Sequence, residues 1–156
     1  MIPRDFTKWV VENSERGYHL NPDDPQHILW GNHLGKSLGV TPRVLRNWRG
    51  INGKTMTPDM LKDLQKDEAA QILMHEFYMR NGFYRLPWNP MTAHLVDIAI
   101  TSNTKIAIII LQNLCEAKTT GKLDGNTIQR YGRWCEHFSI DEGMRLIIAR
   151  RRKGDL

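Results

Sequence analysis

The apolar positions of the chain fall into short helical stretches separated by turns rich in glycine and proline. Phe6, Trp9 and Val10 follow Pro3 at the spacing of one buried helix face, so a first helix is expected to run to about residues 15–17. Residues 19–39 show no sustained period and hold Pro22, Pro25, Gly31, Gly35 and Gly39. They predict a long, structured loop with at most a short helix near 31–38, the kind of segment that tends to carry function. Thr41 before Pro42 opens a short helix that Gly50 closes, and Thr57 before Pro58 repeats the opening. Ala69, Ile72, Leu73 and Phe77 then recur at helical spacing behind Asp67 and Glu68, with Asn81 and Gly82 as the stop.

Residues 91–102 are apolar on almost every side, which marks a helix inside a core. The alternation of Val96, Ile98 and Ile100 also suits a strand, and the same ambiguity touches 105–115. Helix is the better reading of both, because Asn103 and Thr104 look like a break with a new N-cap and the neighbouring segments are helical. Two more helices are expected at about 126–138 and 141–152, after the turn LDGN. The predicted fold class is therefore all-α, with about seven helices and a long structured loop after the first.

With 156 residues, the chain is long enough to bury a real core as one domain, or as one domain with a closely packed subregion. Its 40% hydrophobic and 25% charged content is that of an ordinary soluble protein. The net charge of +5 suits an anionic partner, and nucleic acid, anionic lipid and bacterial cell wall all qualify. Cys115 and Cys135 are too few for a disulfide framework and lack metal-site spacing, so both are expected reduced and buried, with one bridge as the alternative. The N-terminus has no hydrophobic block of signal-peptide type, and the apolar run at 106–111 is too short to span a bilayer.

Chemistry is expected in SERGYHLNPDDP, residues 14–25, where Glu15 follows the first amphipathic run. A carboxylate propped against apolar groups such as Trp9, with its outer side facing a groove, keeps a raised pKa and serves as an acid near neutral pH. By residue type alone Glu15 also reads as a solvated glutamate ending a helix. Asp24 is a second carboxylate, nine residues on, and it equally suits a turn cap on backbone amides. Glu12, three residues before Glu15, is expected to be exposed.

The spacing of Glu15, Gly17, Tyr18, Pro22, Asp24 and Pro25 resembles the E-G-G-Y-x3-P-x-D-P signature of glycoside hydrolase family 108, the bacterial and phage N-acetylmuramidases. LQKDEAAQILMHEFY at 64–78, Leu86 with Pro87, and DIAITSN at 97–103 resemble further motifs of that family in the same order. The run ending in LQNL and GKLDGNTI at 121–128 resemble the small peptidoglycan-binding region that follows in these enzymes. The likeness implies a lysozyme-like catalytic region over 1–105 and a helical peptidoglycan-binding-like region over 106–156. It implies a muramidase with Glu15 as general acid and Asp24 as its companion, and with Tyr18, Trp30, Asp97, Thr101 and Ser102 bordering the glycan groove.

No cofactor and no metal are implied, and the expected partner is peptidoglycan, met by a monomer made in the cytoplasm without a signal peptide. Such a protein would reach the wall after holin-type or dedicated release, as phage endolysins do. The chain departs from the pattern at Arg16, which replaces a glycine, and at QHILWGN, 26–32, where the family's Gly-Gly-x-Thr is missing.

Two other classes fit some of these residues. A wall-binding or secretion-accessory protein of the same fold with weak catalysis would suit the missing Gly-Gly-x-Thr. A basic nucleic-acid module would use Arg43, Arg46 and Arg49 beside Trp48, and RRRK at 150–153. No nucleic acid is expected, since most arginine-rich helix faces are simply solvated. His94 and Asp97 lack a third metal ligand at a telling interval, and His75 with Glu76 lacks the second histidine of a zinc motif.

Overall fold

The computed structural model describes residues 1–14 and 17–152, so Glu15, Arg16 and residues 153–156 lie outside the described residues. It is mostly helical, with eight α-helices and one two-stranded sheet among the described residues. The chain divides into two compact units, Met1–Glu76 and Phe77–Leu156.

In the first unit, α1 (Pro3–Trp9) runs directly into a π turn, Val10–Ser14. Phe6, Val10 and Val11 are buried, and α1 packs against α4 (Lys66–Leu73). Trp9 departs from the expected buried face and is 44% exposed, stacked on Phe6 at 6.2 Å. The chain widens from α to π spacing at Val10, so both valines turn inward and Trp9 is left outside.

The α2 helix (Pro42–Arg49) forms as its ends require. Thr41 Oγ1 accepts the Val44 N–H at 3.3 Å, and Gly50 closes the helix in the left-handed region. The short α3 (Pro58–Lys62) follows, and α4 runs on as a second π turn, Met74–Met79. Arg49 grips Glu68 with two nitrogens, at 3.1 and 2.9 Å, and so ties α2 to α4. One of the three arginines of the candidate basic face is therefore already neutralised.

The second unit holds α5 (Pro90–Thr101), α6 (Thr104–Leu114), α7 (Gly125–His137) and α8 (Ile140–Arg152). The Asn89, Asn103 and Asp124 side chains cap α5, α6 and α7 by accepting first-turn N–H groups. The α5 helix packs on α6 and α8, and α6 also meets α7 and α8. Leu95, Ile98, Leu111, Tyr131 and Ile147 are fully buried among them, each such side chain contributing about 1.5–3 kcal/mol by leaving water.

Several buried polar side chains inside this unit are hydrogen-bonded. Thr92 donates its hydroxyl proton to the Pro87 carbonyl at 2.6 Å, so its contact with Tyr131 at 2.8 Å has Tyr131 as donor. Burial pushes the Tyr131 phenol well above its usual range. The buried Gln112 amide accepts the N–H groups of Thr120 and Gly121 at 3.0 Å, and its two N–H donors face three acceptors, Thr120 Oγ1, the Lys122 carbonyl and Thr127 Oγ1, at 2.9–3.0 Å. This orders the connection from α6 to α7.

Both cysteines are free. Cys115 is buried as expected, whereas Cys135 is only half-buried and accepts from Asn89 Nδ2 at 3.6 Å. Burial raises both thiols, so neither is a poised nucleophile. No helix among the described residues is long and apolar enough to cross a membrane.

Candidate active site

The irregular segment between α1 and α2 is built on Asp24 and His27. Asp24 caps a 3-10 turn, Pro25–His27, by accepting the Gln26 N–H on Oδ1 at 2.9 Å. His27 is 2% exposed, and its Nδ1 accepts the Asn21 N–H at 2.9 Å. The ring proton therefore sits on Nε2, which faces Asp24 Oδ2 at 3.4 Å. Capping is thus one role of Asp24, and both of its oxygens are engaged. His27 was not singled out by the sequence, although a histidine three residues after an acidic turn residue is the signal that could have found it.

Two tight turns follow in place of a short helix. Ile28–Leu29 (β1) pairs antiparallel with Asn32–His33 (β2), and the loop between them is Trp30 and Gly31, at φ of 53° and 77°. Ser37 and Val40 then bridge around Leu38 and Gly39, at φ of 52° and 82°. Positive φ at both central residues is the geometry of a type I′ turn, which matches the twist of paired strands and favours Asn-Gly. A bulky residue at the first position costs about 1–2 kcal/mol.

The two turns carry that cost differently. Leu38 is 8% exposed, so core burial offsets its strain. Trp30 is 60% exposed, its indole lying against Gly53, where a Cβ would overlap the ring, with Lys54 Nζ 5.6 Å from the ring centre. Core burial does not account for holding Trp30 in this conformation. A strained, displayed aromatic is a candidate ligand contact.

Tyr18 is half-buried, and its hydroxyl donates to the Leu34 carbonyl at 3.0 Å. Gly35, at φ of 89°, backs the ring so closely that a Cβ would lie 2.6 Å from Tyr18 Cε2. Lys62 Nζ stands 5.2 Å from the ring centre. Beside them opens a cavity of about 440 Å³, lined by Gly17, Tyr18, Ser37, Lys62, Lys66 and Asp67 among others.

Of the residues expected to carry the site, Tyr18, Asp24 and Trp30 belong to this unit, and Glu15 lies outside the described residues. The π turn ends at Ser14, one residue before Glu15, and π turns recur at functional sites. Glu12 is exposed, as expected. Asp97, Thr101 and Ser102 belong to the second unit, at the end of α5. Asp97 is half-buried and Thr101 is exposed, its hydroxyl donating to the Asp97 carbonyl at 2.8 Å. The second unit has its own depression of about 380 Å³, lined by Arg130, Arg133, Trp134, His137 and Phe138 with the end of α6. Among the described residues no group of three His, Cys, Asp or Glu side chains could hold a metal.

The fold is mostly helical, with a loop after the first helix that holds Asp23, Asp24 and the exposed Trp30. Residues 8–102 match the glycosyl hydrolase 108 family, and the chain belongs to that family. Among solved structures it is similar to SagA of Brucella abortus, with a TM-score of 0.71 and 21% identity over 94% of this chain and 77% of that one. The likeness to SagA extends to the fold. No curated protein matches the chain.

Proposed function

We propose that the protein cleaves the β-1,4 bond between N-acetylmuramic acid and N-acetylglucosamine in peptidoglycan. Glu15 protonates the departing glycosidic oxygen while water attacks the anomeric carbon. Asp24 holds the loop and lends negative charge to the oxocarbenium-like transition state. Tyr18 and Trp30 contact sugar rings.

The observation that carries this reading is Trp30, displayed at 60% exposure from a strained turn within the region that matches a glycoside hydrolase family. The chemistry needs only proton transfer and charge stabilisation, so no cofactor enters it. The groove along α7, with Arg130, Arg133 and the stacked pair Trp134 and Phe138 at 4.9 Å, supports a wall-holding role for the residues from about 106 onward. The test is release of reducing ends from purified peptidoglycan, with mass analysis of the fragments. Muramic-acid reducing ends are expected, and glucosamine ends or no release would refute the assignment.

One observation favours a second reading, a wall-binding protein of weak catalysis. Where the family has Gly-Gly-x-Thr, this chain has a buried His27 that engages Asp24, so Asp24 is less available to a substrate. Retained binding to sacculi without fragment release would select that reading.

A further inference from the structure

Among the described residues, the cavity beside Tyr18 is lined by more positive than negative side chains. Lys62 is exposed, yet its ammonium is drawn over the Tyr18 ring at 5.2 Å. A cation at that distance is attracted by the ring quadrupole and is held beside the cavity instead of ranging through solvent. Three aspartates, Asp59, Asp63 and Asp67, lie within five residues of Lys62 in sequence. None of them forms an ion pair with it, and the ion pairs among the described residues involve neither Lys62 nor Lys66. Among the described residues the lining therefore holds two cations, Lys62 and Lys66, and one carboxylate, Asp67. Its volume of about 440 Å³ lies in the range of small-ligand sites. Gly17 and Tyr18, also in the lining, stand two and three residues after Glu15 in sequence.

We infer that this cavity binds a carboxylate carried by the glycan, with Lys62 as its principal contact and Lys66 in support. Lys62 is thereby a specificity-determining residue that favours carboxylate-bearing strands over neutral ones. The inference rests on the proposed reading that a glycan passes Tyr18. A glycan of alternating muramic acid supplies such a group either as a free lactyl carboxylate or as the carboxylates of its stem peptides. A neutral polymer of N-acetylglucosamine supplies none. A lysine fits the task because its ammonium is a compact charge with three rotatable donors, able to meet a carboxylate at more than one angle.

The test is calorimetric titration of the full chain, carrying Glu15→Gln to slow turnover, with three tetrasaccharides of equal length. One bears free lactyl carboxylates, one bears stem peptides and one is the neutral chitin oligomer. At least one carboxylated form is expected to bind about tenfold more tightly than the neutral one, the worth of one charge-assisted hydrogen bond. Lys62→Met should bring that ratio close to one, and Lys62→Arg should keep most of it. Whichever carboxylated form holds the preference identifies the source of the carboxylate.

A ratio near one before substitution, a ratio that survives Lys62→Met, or no binding of any oligomer would overturn the inference. Hydrolysis of peptidoglycan by the unsubstituted protein is scored separately. Absent hydrolysis with an intact Lys62-dependent ratio sinks the hydrolase reading alone, and hydrolysis without the ratio sinks only the inference.

Discussion

In the first unit, the segment between α1 and α2 is ordered by turns with positive φ at Trp30 and Leu38, by a buried histidine and by a capping aspartate. In the second, the connection from α6 to α7 is ordered from beneath by the buried amide of Gln112, and the four helices close over an apolar core. Both units thus fix irregular backbone with a buried polar side chain, His27 in the first and Gln112 in the second, but they differ in what they leave at the surface. The second unit turns Gln112, Thr92 and Tyr131 inward and pairs them. The first holds Trp30, Lys54 and Lys62 outward, where a ligand can meet them. This difference is why the proposed cleavage is assigned to the first unit, while exposed Phe138 and the arginines of α7 suit the proposed wall-holding role of the second.

The contrast can be broken most forcefully at Gln112. Replacing it with Leu leaves the Thr120 and Gly121 N–H groups without their acceptor, and should cost about 3–4 kcal/mol in denaturant unfolding while leaving glycan binding by the folded protein intact. Gly35→Ala is the matching change in the first unit. At φ of 89° and against the Tyr18 ring, it should cost about 2 kcal/mol and weaken glycan binding as well, because Tyr18 must move.

A finer test concerns the strain itself. Trp30→Ala and Trp30→Asn both remove the indole and should weaken glycan binding about tenfold, but Trp30→Asn suits the turn and should be the more stable of the two by about 1 kcal/mol. Equal stability of the two would deny that the turn is strained.

The smallest effect is expected at Arg49 and Glu68. The hydrogen bond from Arg49 holds the Glu68 carboxyl below its ordinary value of 4.5. A depressed folded pKa contributes stability that is full above the ordinary value and is lost as pH falls through the folded one. Both side chains are about a third exposed, so solvent screening limits the loss to less than about 1 kcal/mol. Arg49→Met should abolish this part of the acid dependence in thermal unfolding followed from neutral pH downward.

The helices of the second unit were legible because their signals are local. Asn103 caps at the break expected before an apolar run, LDGN stands as the turn before α7, and the sides of α5 are apolar because it is buried nearly all round. Thr41, Pro42 and Gly50 framed α2 for the same reason. The candidate site was less legible because its geometry comes from contacts distant in sequence. Trp30-Gly31 and Leu38-Gly39 carry only the second glycine of a type I′ turn, and the bulky first residue hides the pattern. Lys62 meets Tyr18 from forty-four residues away, and no period or motif records that contact. Trp9 was misplaced because the shift to π spacing at Val10 has no composition cue.

The most direct test of the account is reducing-sugar release from purified peptidoglycan by the unsubstituted protein and by Glu15→Gln, at matched folded concentration. The account predicts release with muramic-acid ends by the first, and a rate lower by about 10²–10⁴-fold in the second, the usual worth of a general acid. Equal rates from the two proteins would contradict the assignment of Glu15 and move the chemistry elsewhere in the molecule.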